Sequence, residues 1–409
     1  MPGMHEVGAE SAPHRIGLTE LAWIFFRIAC TSYGGFMAMI AVVQNVVVER
    51  RRLLADEDIL EGLSLASILP GPTAINVVAY VGYRLRGVAG AVVCAGAAIL
   101  PPFALMAVAG FAYFRWGNLP VVDKVFLSMT PAVVAIVVTA AWRMCRTSVA
   151  STKEGVIAAG AVAATLCVTG VYTTVAVMAA AALAGWLMFG ERRKQGKRAD
   201  TLPVNSRRST ERPVWYANPG LMILAVLPAA ISQLPHMESN LVIKLFGVFA
   251  GMSMLMFGGG YVFIPLFQQV VVDGYGWVTQ QEFVDALTLG QVTPGPIMIS
   301  ATFIGYKVAG LAGAFAATFG MFAPSAALMV FCTRLFARIR ASVNAQAMLR
   351  GVRAAATGMV FAAAVMIGKS MAPHWISAAV FGISMVALMR YRIEAVWVVP
   401  AAGAVGLFI

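Results

Sequence analysis

The chain has 409 residues, 60% of them hydrophobic and only 12% charged, with a net charge of +12 and a mean hydropathy of +0.81. That balance excludes an ordinary soluble domain and predicts a polytopic membrane protein. Most of the Lys and Arg fall in short loops between apolar segments, which is the positive-inside pattern rather than a nucleic-acid footprint, so no nucleic-acid partner is expected.

In chain order, residues 1–17 form a polar tail with Pro2, Gly3, Gly8 and Pro13, and no secretory signal is expected there. A first unit runs over 18–190. Its apolar segments at 21–48, 88–114 and 121–142 approach or exceed the roughly 20 residues needed to span hydrocarbon, and 155–169 with 171–190 reads as a hairpin of shorter helices. Residues 191–217 form a basic cytoplasmic linker carrying Arg192-Arg193-Lys194, Lys197-Arg198 and Arg207-Arg208. Residues 218–237 are too short and Pro-interrupted for a plain span and read as a re-entrant or extra membrane segment. A second unit, 238–409, has apolar segments at 239–270, 310–333 and 354–368 and a hairpin of 375–389 with 393–409. No stretch alternates like a barrel strand, so the expected fold is all-α.

The two units repeat one pattern. The first reads Gly34-Gly35-Phe36, Gln44, Pro70-Gly71-Pro72, Gly82-Tyr83-Arg84, Gly87, Gly90 and Pro101. The second reads Gly259-Gly260-Tyr261, Gln269, Pro294-Gly295-Pro296, Gly305-Tyr306-Lys307, Gly310, Gly313 and Pro324. Their offset drifts only from 225 to 223 residues. Paired interruptions at matching places in two membrane repeats point to a transport site.

Pro-Gly-Pro ends one half-helix and starts another, because proline lacks the N–H and clashes with the preceding turn while glycine accepts either hand. The amides that follow, at Thr73, Ala74 and Ile75 and at Ile297, Met298 and Ile299, cannot face lipid. Helix N-termini favour anions. With each Pro-Gly-Pro segment dipping in and returning, the basic residues Arg50, Arg51, Arg52, Arg84, Arg86, Arg143, Arg146, Arg334, Arg338, Arg340, Arg350, Arg353, Arg390 and Arg392 fall on one side, the cytoplasm. The loop 273–282, without Lys or Arg, falls outside. Each repeat then contributes five crossings and the copies are antiparallel; full discontinuous helices would raise the number of spans toward thirteen.

Polar residues flank both breaks: Ser64, Ser67, Thr73 and Asn76 in one copy, and Thr288, Gln291, Thr293 and Ser300 in the other. Arg27 lies within the first apolar helix, where it serves the ligand or snorkels to the interface. Arg84 and Lys307 occupy equivalent helix ends, where a cation also complements the dipole. Glu61 and Asp285 correspond and are candidates for proton coupling or for pairing with nearby cations. Gly34, Gly35, Gly259 and Gly260 let helices bend or approach; Gln44 and Gln269 read as links between helices. The cysteines Cys30, Cys94, Cys145, Cys167 and Cys332 are dispersed and the four histidines show no ligand spacing, so neither a disulfide nor a metal site is expected. Gly368-Lys369-Ser370 lacks the first P-loop glycine, Ala363 standing in its place, so neither ATP hydrolysis nor a cofactor is expected. Export of a divalent anion from a cell with a negative interior needs no nucleotide, since each charge gains about 2.3 kcal/mol per 100 mV.

With Leu69-Pro70-Gly71-Pro72 followed by Asn76, and Gln291-Val292-Thr293-Pro294-Gly295-Pro296 after Gly258-Gly259-Gly260-Tyr261, the chain resembles the chromate ion transporter family in its long, two-domain form. The resemblance implies a multi-pass carrier of the bacterial inner membrane that exports chromate on the membrane potential or proton motive force and confers chromate resistance. Sulfate, with the same charge and shape, is an alternative substrate; an anion channel and a membrane enzyme acting on phosphorylated lipids are further alternatives. The expected site comprises Pro70, Gly71, Pro72, Thr73, Asn76, Thr293, Pro294, Gly295, Pro296 and Ser300, with Arg27 balancing the dianion. The expected partners are the oxyanion and the lipid bilayer, and a homodimer is compatible with the sequence.

Overall fold

A computed structural model describes residues 16–117, 120–168, 173–189, 241–257, 260–333, 343–371 and 374–408. The expected linker 191–217, the segment 218–237, residues 1–15 of the tail, the loop cations Arg334, Arg338 and Arg340, and Gly258 with Gly259 lie outside the described residues.

The described helices fall into two runs of seven. The first is α1 (Leu18–Thr31), α2 (Phe36–Gln44), α3 (Asp56–Ala66), α4 (Thr73–Trp116), α5 (Pro120–Ser148), α6 (Thr152–Cys167) and α7 (Thr173–Phe189). The second is α8 (Leu241–Leu255), α9 (Phe263–Gln268), α10 (Gln280–Val292), α11 (Ser300–Thr333), α12 (Val343–Gly368), α13 (Trp375–Met389) and α14 (Ala395–Gly406). Four helical stretches are long and apolar enough to cross a membrane: Thr73–Trp116, Pro120–Ser148, Ile297–Thr333 and Gln346–Gly368. The protein is a multi-pass, all-helical membrane protein among its described residues.

The apolar segments 21–48 and 239–270, expected as single spans, are both interrupted. α1 ends at Thr31, and Gly34 and Gly35 follow at φ 98° and 83°, a region closed to helix and strained for any residue with a Cβ. α2 then starts at Phe36 and runs into a π-helical turn, Asn45–Arg50. The second run does the same: α8 ends at Leu255, a 3₁₀ turn Gly260–Val262 leads into α9, and a π-helical turn Gln269–Gly274 follows. Hydropathy alone does not register the breaks, because glycine is not polar.

α4 and α11 each contain a second break. Arg86 and Gly87 (φ 63°), and Ala309 and Gly310 (φ 58°), leave helical geometry at matching places. The chain there folds back tightly enough that a Cβ on Gly82 would lie 2.4 Å from the Gly90 carbonyl oxygen, and one on Gly305 2.3 Å from that of Gly313. Only glycine permits this approach.

The copies differ by one residue between the Pro-Gly-Pro turn and this close approach, ten separating Pro72 from Gly82 and nine separating Pro296 from Gly305. The structure absorbs the deletion in a 3₁₀ turn, Ile297–Ile299, before α11. Three 3₁₀ residues rise about 6 Å, as four α-helical residues do.

The packing between the two runs is reciprocal. α4 packs against α11 and α5 against α12; α13 and α14 close around α5, while α6 and α7 close around α12. Small residues make these approaches possible: a Cβ on Gly351 would lie 2.0 Å from the Ala181 carbonyl oxygen, and one on Gly406 2.5 Å from that of Lys124.

Candidate functional site

Each Pro-Gly-Pro is the tip of a helical hairpin. In the first copy, α3 starts with Asp56, Glu57 and Asp58 in its first turn, where carboxylates suit the helix dipole, and Asp58 accepts from the Ala55 amide at 3.1 Å. α3 ends at Ala66, the chain turns through Pro70-Gly71-Pro72 with Gly71 at φ 106°, and α4 leaves from Thr73. The mouth is closed by Arg84, which pairs with Asp58 and, at 3.2 Å, with Glu61; the Tyr80 hydroxyl also donates to Glu61 at 3.1 Å. In the second copy a Thr279–Glu282 capping box starts α10, Gly295 turns at φ 100°, and Lys307 pairs with Glu282 across the mouth. Arg84 and Lys307 are thus hairpin-closing cations.

Each tip is pinned by the opposite repeat. The Gly71 amide donates to the Met256 carbonyl at 2.7 Å, and the Gly295 amide to the Ser32 carbonyl at 2.9 Å. Met256 and Ser32 are the first residues past α8 and α1, so the broken helix of one copy receives the tip of the other. Gly71 also lies against Ser325 of α11, and Gly295 against Pro102 of α4, each next to the mid-helix proline of the partner repeat.

The second tip and the broken ends of both repeats line a cavity of about 20 Å³, room for one water, formed by Gly35 of the first copy and by Gly260, Tyr261, Gln291, Thr293, Gly295 and Pro296 of the second; the expected ligands Pro70, Gly71, Pro72, Thr73 and Asn76 are not in this lining. Gln291 is 9% exposed, and its amide nitrogen is buried with no hydrogen-bond partner among the described residues. The Tyr261 hydroxyl is its polar neighbour. A buried donor without a protein partner is one that a water or a ligand oxygen can satisfy.

The expected residues separate into different roles. Asn76 is fully buried and donates to the Pro70 carbonyl at 3.1 Å, holding the first tip, and its side-chain oxygen has no partner among the described residues. Ser300 is fully buried and its hydroxyl donates to the Ala286 and Ile297 carbonyls at 2.9 and 2.8 Å, which ties the second hairpin together. Thr73 is buried at the start of α4, and Thr293, half-buried, lines the cavity. Arg27 is exposed on α1, one turn before the break, rather than in the cavity. Gln291, placed beside the break by sequence but not among the expected ligands, is the donor that geometry brings to the centre.

Glu61 and Asp285 also diverge. Glu61 sits in the exposed Arg84 cluster, whereas Asp285 is 2% exposed and receives the Tyr113 hydroxyl at 2.6 Å and the Gln281 amide at 3.0 Å. Among the described residues no cation forms an ion pair with Asp285. Tyr113 belongs to α4 of the opposite repeat. Gln44 bonds Asp56 and Gln269 accepts from Thr174 of α7 at 2.7 Å, so both serve as links between helices.

The family described as Chromate transporter matches this chain twice, over residues 19–186 and 243–407. A Chromate transport protein of Cupriavidus metallidurans is 28% identical over 391 residues, covering 95% of this chain and 92% of that protein. A Chromate transport protein of Pseudomonas aeruginosa is 28% identical, covering 97% and 94%. An uncharacterized transporter of Bacillus subtilis, YwrA, is 30% identical over 164 residues, which are 39% of this chain but 92% of that protein, so a single repeat is a length at which relatives occur. No solved structure matches the chain. Matched over both repeats, the chain belongs to the chromate transporter family.

Proposed function

We propose that this chain is a secondary carrier that exports chromate from the cytoplasm of a bacterium across its inner membrane, driven by the membrane potential or the proton motive force, and so confers chromate resistance. The observation that carries this reading is the buried Gln291 amide in a cavity lined by glycines of both repeats, the Tyr261 and Thr293 side chains and apolar groups, with no carboxylate among them. Such a lining offers hydrogen-bond donors and positive helix ends without a carboxylate, which suits a tetrahedral oxyanion. Room for one water does not hold four oxygens, so the described conformation is occluded and the hairpins must part to admit the ligand.

On this reading the repeats are inverted, with the loop cations on the cytoplasmic side, and alternating access moves the hairpin tip of each repeat against the broken helix of the other. The reciprocal pinning of the tips gives that motion its two states: one tip can leave its acceptor while the other stays held. Asp285 is the coupling carboxylate, because it is buried, uncompensated by a cation and tied to the opposite repeat through Tyr113. Glu61, already matched with Arg84, is not. The names of the relatives favour chromate over sulfate, which has the same charge and shape.

Everted membrane vesicles carrying the chain test the proposal. They should accumulate chromate, and an uncoupler should lower the accumulation; accumulation no greater than in empty vesicles refutes it. Asp285→Asn should retain chromate exchange while losing the uncoupler-sensitive part.

A further inference from the structure

Away from the hairpins lies a polar cavity of about 720 Å³. It is built from the end of α5, the start of α6, the end of α7 and the first turns of α12, and it brings together Ser151, Thr152, Lys153, Arg350 and Arg353. Arg350 and Arg353 stand three residues apart on α12, so their like charges share one face. Among the described residues none of these three cations forms an ion pair. Glu154, the carboxylate in the lining, is held by the cap of α6 and forms no ion pair with them: its Oε2 accepts from the Ala150 and Ser151 amides at 2.7 and 2.9 Å. Lys153 donates to the Met188 carbonyl at 3.3 Å and Arg353 to the Ser67 carbonyl at 3.2 Å, neutral acceptors that leave both charges uncompensated.

The Arg353 contact matters most. Ser67 follows the last residue of α3, three positions before Pro70, so the guanidinium that faces the cavity also holds the stem of the first hairpin tip. An anion that drew Arg353 toward the cavity would free the Ser67 carbonyl and loosen that stem.

We propose that this cavity is a second anion site in which Lys153, Arg350 and Arg353 hold one oxyanion, either the free divalent ion in a vestibule before the hairpin tips or the phosphate of a phospholipid headgroup. The inference rests on the oxyanion-carrier reading for its place in the cycle, but binding tests it separately. Its volume far exceeds one tetrahedral ion, so the ion stays hydrated and binding is weak, with the gain in capture rate that a charged funnel gives.

The test is equilibrium binding of radiolabelled sulfate, a redox-inert tetrahedral dianion, to the full chain in nanodiscs of neutral lipid. The Lys153→Gln/Arg350→Gln variant should bind sulfate at least tenfold more weakly, while Lys153→Arg/Arg350→Lys stays within about threefold of the unaltered chain. In vesicle transport the Gln variant should raise KM for the oxyanion and leave kcat unchanged. Arg350→Gln alone, at an exposed position, reports the same direction should the double variant misfold. Sulfate binding by the Gln variants equal to that of the unaltered chain overturns the proposal. Adding anionic phospholipid separates the sources: competition with sulfate, lost in the Gln variants, assigns a headgroup, and no competition assigns the free ion. Sulfate binding without vesicle transport defeats the carrier reading and leaves the vestibule standing.

Discussion

Gly71 and Gly295 are equivalent by sequence, yet alanine at the two positions should have unequal costs. Both turn at positive φ, so either substitution stores about 1–3 kcal/mol of backbone strain. At Gly295 the new Cβ would meet Pro102 at 3.3 Å, a contact that a few tenths of an ångström relieve. At Gly71 it would lie 2.1 Å from the Ser325 Cβ and 2.6 Å from its hydroxyl. Carbon atoms rest about 3.5–4.0 Å apart, so α11 or the tip must move by more than an ångström, adding about 1–3 kcal/mol of overpacking. Gly71→Ala should therefore be the more destabilising of the pair by that amount. Because the obstruction is at Cβ, Ser325→Ala should rescue nothing, whereas Ser325→Gly should recover the overpacking less the roughly 1 kcal/mol that glycine costs within a helix. Thermal unfolding of the detergent-purified variants, followed by tryptophan fluorescence and arranged as a double-mutant cycle, measures this coupling. Equal rescue by Ser325→Ala and Ser325→Gly, or no coupling with either, refutes the cross-repeat contact.

Inversion of the repeats is tested at the ends of the two matching π-helical turns, Arg50 and Gly274, both exposed. In a chain freed of its own cysteines, Arg50→Cys should react with an impermeant maleimide only in everted vesicles and Gly274→Cys only in right-side-out ones; labelling of both from one side refutes inversion. Gln291→Leu removes a donor to a charged ligand worth about 1.5–3 kcal/mol, so chromate affinity in everted vesicles should fall by roughly ten- to a hundredfold, with expression unchanged. Gly351→Ala, whose Cβ would meet the Ala181 carbonyl oxygen at 2.0 Å, should lower the unfolding midpoint measurably, whereas Gly382→Ala, with nothing within 4 Å of its Cβ, should leave it level or raise it slightly.

Much of the site was legible because its parts are covalent punctuation. Pro70-Gly71-Pro72 and Pro294-Gly295-Pro296 announce their turns through residues that allow little else, and the one-residue difference between the copies reappears as the 3₁₀ turn Ile297–Ile299. The interruption of 21–48 was less legible. Val, Ile and Met raise hydropathy and Gly barely lowers it, so only the φ of Gly34 and Gly35 distinguishes a break from a close helix contact. Illegible altogether was the choice of partners: nothing local says that α5 packs against α13 and α14 rather than against α6 and α7 of its own repeat. Tertiary burial decided that, as it decided the fates of Glu61 and Asp285. The two carboxylates occupy equivalent positions, but Tyr80 and Arg84 reach the first, whereas the second faces Tyr113 from the other half.

That exchange of partners constrains how the protein can move. If each repeat packed only on itself, the hairpins could part by simple separation of the halves. Here α5 lies between the α13–α14 hairpin and α12, and α12 between the α6–α7 hairpin and α5, so separation would tear apart the small-residue contacts at Gly351 and Gly406. On the carrier reading, motion would be confined to what these contacts leave free, namely the two tips and the broken ends of α1 and α8 that receive them. Each tip is held there by one amide-to-carbonyl bond, from Gly71 or from Gly295, worth about 1 kcal/mol net. On the carrier reading, a hydrated dianion offering acceptors to those same amides would compete directly with Met256 and Ser32. Opening of the cavity and capture of the ligand would then be one event, with the exchanged hairpins as its fixed frame.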